Sequence, residues 1–157
     1  MSRFAVLKAI SLYALALWWG GFTFYAARVV PIGNQVLHSK IRQGAITQTV
    51  SGELNPLALA SLALMGWYFY QENRGSYYYR WGNWVVMLAT TVALIVLRLK
   101  LNAMFDPAAR DIANERSFYR WHEIYLCIAT VRWFAATLLM VKMFTVGFSS
   151  DKKPVPL

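Results

Sequence analysis

Apolar residues gather along this chain in four long runs separated by shorter polar stretches. The first, residues 4–30, is almost unbroken, with Lys8 near one end and Arg28 near the other. Residues 54–70, LNPLALASLALMGWYFY, form the second. The third covers 83–97 and continues past Arg98 and Lys100 to Phe105. The fourth covers 119–148 and contains His122, Glu123, Arg132 and Lys142. A helix needs about 20 apolar residues to cross a bilayer. A backbone in lipid must satisfy its own hydrogen bonds, which favours helices. The pattern therefore predicts a single transmembrane domain over 1–157, with spans at about 4–30, 54–72, 83–105 and 119–148. The expected fold is all-α, an integral membrane four-helix bundle of antiparallel up-down topology. A soluble four-helix core would need a polar face on every run, and 58–65 has none.

The polar stretches read as connections. Pro31 is expected to end the first helix. The loop 33–52 carries Val36, Leu37, Ile41, Ala45 and Ile46 at near-helical spacing, so part of it is expected to lie along the interface. Asn55-Pro56 is expected to open the second helix, since proline is tolerated in a first turn. The short connection 73–82 forces antiparallel neighbours. Residues 106–117, DPAARDIANERS, read as a charged loop, and the tail from Ser149 reads as frayed. Gly20-Gly21 reads as a helix-packing notch. Trp and Tyr cluster where bilayer boundaries should fall, at 67–70, 77–84 and 119–125.

Composition supports the membrane reading: 58% of the residues are hydrophobic and 15% are charged, against roughly 25% charged in soluble domains. A net charge of +9 would suggest nucleic acid in a soluble protein. Here the basic residues flank the spans, so the expected partners are the lipid bilayer and its anionic headgroups, not nucleic acid. Association into a homo-oligomer is compatible with this composition. The first run is too long for a signal-peptide core and carries Trp18 and Trp19, so it reads as a retained helix. The single Cys127 reads as a small packing residue inside a span. Lys and Arg number seven on the side of the termini and eight on the other. Setting Arg28 and Arg98 aside as site residues gives seven against six, a lean towards cytoplasmic termini.

One end of the bundle is unusually polar. Arg28 ends helix one, Glu53 and Asn55 open helix two, Arg98, Lys100 and Asn102 close helix three, and Arg120, His122 and Glu123 open helix four. Antiparallel threading brings them to one membrane face. Lys8, Lys142, Arg120 and Lys100 read as snorkelling side chains. Arg28 or Arg98 is expected to pair with Glu53 or Glu123, because an unpaired intramembrane charge is costly. His122, Glu123, Arg28 and Arg98 make the candidate cofactor-binding cluster. His122 is also the candidate metal ligand, through a neutral ring nitrogen that suits heme iron or copper. Met104 and Cys127 are the soft ligands that copper would want. His38, the other histidine, lies in the amphipathic loop and would have to fold over helix four to share a site. Arg132 lies about 15 Å along the axis from His122 and should face protein, with Asn83, Tyr13 or a backbone carbonyl as acceptor. Trp121 and Tyr125 read as a ridge on another side of helix four from His122. No CxxCH, HExxH, glycine-rich phosphate loop or Ser-His-Asp pattern is present, so a non-enzymatic role is expected.

Residues 16–31, ALWWGGFTFYAARVVP, resemble the first helix of a bacterial four-helix membrane family of unknown function, related to an animal transmembrane protein linked to cisplatin resistance. Phe118-Tyr119-Arg120-Trp121-His122 is similar to the F-[FY]-R-[YW]-H signature of the same family. A more distant likeness runs to the copper-resistance membrane protein CopD and to HemJ, the heme-binding protoporphyrinogen oxidase, whose last helix opens on a pattern similar to Arg120–Glu123. The resemblance implies a bacterial inner-membrane protein handling a metal ion or small solute at its polar end, or else a small heme- or copper-binding redox protein. It departs from HemJ in having no histidine near the start of helix one.

Overall fold

Runs rich in Ala, Leu and Met close their backbone hydrogen bonds within one segment, and the computed structural model is accordingly almost wholly helical. It describes residues 3–72, 77–106, 111–112 and 115–149. Four rods form the bundle. The first is continuous through α1 (Arg3–Phe24), a π-helical turn (Tyr25–Val29) and α2 (Val30–Leu37). The others are α3 (Lys40–Gln71), α4 (Tyr77–Met104) and α5 (Glu115–Ser149). Between α4 and α5, Phe105–Asp106 (β1) pairs antiparallel with Asp111–Ile112 (β2). The expected frayed tail from Ser149 and the middle of the 106–117 loop fall outside the described residues, apart from Ser149 itself, which closes α5.

Two boundaries differ from expectation, both because of proline. Pro31 does not end helix one. The π turn comes just before it, and Val30 N–H donates to Tyr25 O across five residues. That wider turn absorbs the clash a proline ring makes with the preceding turn, and Pro31 sits in the first turn of α2. Likewise Asn55-Pro56 does not open the second helix, because Pro56 lies inside α3, which starts at Lys40. The stretch 33–52 is therefore helical over most of its length. It reverses only at His38, which adopts a left-handed conformation (φ 46°). Ser39 then caps α3 by accepting from Arg42 N–H.

Among the described residues, three segments are long and apolar enough to cross a membrane: Arg3–Leu37, Tyr78–Met104 and Glu115–Phe144. α3 is diluted by its polar first half. It nevertheless runs antiparallel beside α1: Ser11 Oγ donates to Leu64 O, Ser61 Oγ to Ala14 O, and Tyr25 OH to Thr47 Oγ1. The end of the bundle nearer the termini is solid. Leu15, Trp18, Leu62, Met65, Met87 and Leu139 are almost completely buried there. Polar contacts also tie the rods: Trp84 Nε1 donates to Leu62 O, Asn83 Nδ2 to Ala135 O, and Trp133 Nε1 to Thr23 Oγ1. In lipid such bonds and close packing, not hydrophobicity, hold helices together. The notch that allows close approach is Gly66, where a Cβ would come 3.2 Å from Trp84. Gly20 has nothing within 4 Å and Gly21 makes only an ordinary contact, so the expected notch there is absent. Cys127 is exposed on α5 instead of packed inside.

Candidate functional site

Towards the His38 turn the rods part around a half-open chamber of about 720 Å³. Each rod contributes. Phe22, Tyr25 and Ala26 come from the first, and Gln43, Thr47 and Asn55 from α3. Arg98 and Leu101 come from α4, and His122, Tyr125, Ala129 and Arg132 from α5. The α5 residues fall at steps of three, four and three, which is one stripe of a helix. Their common orientation was thus readable in the sequence, and Arg132 belongs to the same face as His122. The left-handed turn at His38 brings that residue to the lining too, so both histidines of the chain border one chamber. The imidazole of His122 stacks parallel on Phe118, with ring centroids 6.1 Å apart.

Of the candidate cluster, the structure brings His122 and Arg98 to the chamber and leaves Arg28 and Glu123 exposed outside its lining. The expected pairing of Arg28 or Arg98 with Glu53 or Glu123 is not what forms. Glu53 is also exposed. The one salt bridge among the described residues joins Arg80 to Glu72, across the turn between α3 and α4. Arg98 instead lies against Gly52 and donates to the backbone carbonyl of Gln48 at 3.0 Å. A Cβ on Gly52 would fall 2.7 Å from Arg98 Nη2. Lys100 does not reach outward alone: its ammonium sits over the Trp121 ring at 3.4 Å. The ridge of Trp121 and Tyr125 is therefore not on another side of the helix from His122, since Tyr125 lines the chamber beside it.

Arg132 is the least expected component. It is 1% exposed, and its acceptor is Asn55 Oδ1 at 3.3 Å, not Asn83 or Tyr13. Its guanidinium lies 4.8 Å from the Trp18 ring centroid and 5.8 Å from that of Phe22. Cation–π contacts of this kind contribute about 0.5–2 kcal/mol. Burying an ion costs several kcal/mol, so one long hydrogen bond and two ring faces leave the charge under-compensated. The polar atoms around it are equally short of partners. Arg132 Nε, Arg98 Nε and Asn55 Nδ2 are buried without a hydrogen-bond acceptor, and the Gln43 amide, 5% exposed, has no partner at either end. No aspartate or glutamate lines the chamber among the described residues.

The donor set also bears on a metal. No group of three His, Cys, Asp or Glu that could hold an ion exists among the described residues. Copper is poorly served, because Cys127 is exposed and the chamber presents cationic groups. Heme is better matched in kind: the space is large, largely apolar and bordered by two imidazoles. No family model, curated protein or solved structure matches the chain.

Proposed function

We propose that this chain is a non-enzymatic integral membrane protein that binds a small solute in the chamber. In this reading all four rods cross the bilayer, the chamber lies towards one membrane face, and the termini lie on the cytoplasmic side. The observation that carries it is the contrast within one bundle. The end near the termini is filled by buried side chains, whereas the other end holds a 720 Å³ space edged by polar groups without partners. Pockets of roughly 300–1,000 Å³ with a few convergent polar groups are typical of ligand sites. A free metal ion is a poorer occupant than an organic solute, because two guanidiniums and no carboxylate line the space among the described residues.

The test is to fill the chamber. Ala129 lines it and is 3% exposed, so Ala129→Phe should occupy the space while the solid end holds the bundle together. Mass spectrometry of small molecules carried by the purified protein should show a species enriched with the wild type and lost from the variant. Identical profiles from a well-folded variant would overturn the reading.

A second reading, a small heme-binding redox protein, is favoured by His38 and His122 bordering the same space. Either imidazole would hold the heme through a ring nitrogen, and the heme would supply electron-transfer chemistry. A Soret band in the purified protein that disappears in His122→Ala would support it, and a featureless spectrum after heme is supplied would exclude it.

A further inference from the structure

We infer that the chamber takes an amphiphile bearing an acidic group, carboxylate or phosphate, with that group bound between Arg132, Asn55 and Arg98 and its apolar body lying in the cleft between the first rod and α5. The inference rests on the solute-binding reading above and names the class of solute.

Two independent observations carry it. The first is the chemistry of the unpartnered atoms. Arg132 and Asn55 are 1% and 3% exposed, and both line the chamber. Arg132 Nε, Asn55 Nδ2 and Arg98 Nε are all N–H donors, and none has an acceptor. A guanidinium has donors and no acceptor, and Asn55 Oδ1 is already engaged by Arg132. What such a set lacks is an oxygen-rich acceptor, and the two positive charges favour one that is ionised. Carboxylate and phosphate share that description. A cation would meet like charge, and a neutral alcohol would leave the charge of Arg132 uncompensated.

The second is the shape of the route. Phe22 and Ala26 line the chamber and also a second cleft of about 310 Å³, continued by Thr23, Ala27, Thr130 and Trp133. Ala26, Ala27 and Thr130 are exposed on the outer surface of the bundle. The two clefts thus meet at Phe22 and Ala26, and the small side chains beside them place the proposed route for the apolar body between the first rod and α5. Phe24 and Leu126 are also exposed on that surface. A molecule with its acid at Arg132 can extend an apolar body along this path without leaving hydrocarbon. A small hydrophilic anion would need no such path.

The experiment compares laurate, dodecyl phosphate and dodecanol, which share one tail, for their effect on the thermal midpoint of the full chain in maltoside micelles. Wild type should bind at least one acid tenfold or more tightly than dodecanol, and the tighter acid identifies carboxylate or phosphate. Arg132→Met keeps an unbranched apolar stem and removes an under-compensated charge, so the variant should fold. Its preference for the acids over dodecanol should fall well below that of wild type, with the remainder supplied by Arg98. Ala129→Phe should lose all three. If dodecanol binds wild type as tightly as either acid while Ala129→Phe still abolishes binding, the acid-specific proposal falls and solute binding stands. If Arg132→Met retains the full wild-type preference for acid, the assignment to Arg132 is wrong. If none of the three binds wild type, the amphiphile proposal falls, and the solute profile of Ala129→Phe decides separately whether the chamber binds anything.

Discussion

Replacing Asn55 tests how the buried guanidinium is held. Asn55 supplies the one side-chain acceptor to Arg132, at 3.3 Å, with both residues almost fully buried. Asn55→Leu removes that oxygen and leaves a charged donor facing an apolar group. Hydrogen bonds to charged groups contribute about 1.5–3 kcal/mol. The contact is long, so the lower half of that range is expected, about 1.5–2 kcal/mol. The Trp18 face remains to hold part of the charge. The double variant Asn55→Leu/Arg132→Met removes the charge as well. Replacing a buried ion and its partner by apolar residues of similar volume is often neutral or stabilising by about 1–4 kcal/mol. The double variant should therefore be more stable than Asn55→Leu alone, and at least as stable as wild type. Unfolding in mixed micelles, followed by helical circular dichroism on all four proteins, gives the cycle. Since about 1.4 kcal/mol is a tenfold change in equilibrium constant, the single loss is readily measured. A double variant no more stable than Asn55→Leu would refute the reasoning, because the penalty would then come from lost packing at position 55 and not from the unpaired charge.

Two further outcomes follow from the packing. Gly52→Val should displace the Arg98 guanidinium, since a Cβ there falls 2.7 Å from Nη2. Acid binding should weaken about tenfold, from the loss of one charge-assisted contact of about 1.4 kcal/mol, and titration of laurate or dodecyl phosphate with unchanged affinity would count against it. In a Cys127→Ser background, cysteines placed at Ser76 and Ser149 should be labelled from one membrane side and a cysteine at Ser39 from the other; labelling of Ser76 and Ser149 from opposite sides would sink the four-crossing arrangement.

The sequence alone determined the four-rod helical fold, because a backbone in lipid has few alternatives and the apolar runs are long enough to show it. It also carried more of the site than simple spacing from span ends suggested. His122, Tyr125, Ala129 and Arg132 share a helical stripe that any reading in steps of three and four exposes. Other features belonged to the tertiary structure. Local rules place helix ends at Pro31 and before Asn55, yet the π turn at Tyr25–Val29 and the long α3 carry the helices past both. Those extensions built the walls of the chamber from residues that read as a loop, and the His38 turn brought the second histidine to it. The acceptor for Arg132 could not be read from the chain, because Asn55 lies 77 residues away and meets it only when α3 and α5 pack. Nor could the positions of Arg28, Glu53 and Glu123. Near a span end, a one-residue rotation of a helix decides whether a charge faces the interior or the surroundings, and that rotation is set by packing between rods. Here it turned Arg132 and Arg98 inward and Glu53 and Glu123 outward, so that the described lining carries two guanidiniums and no carboxylate.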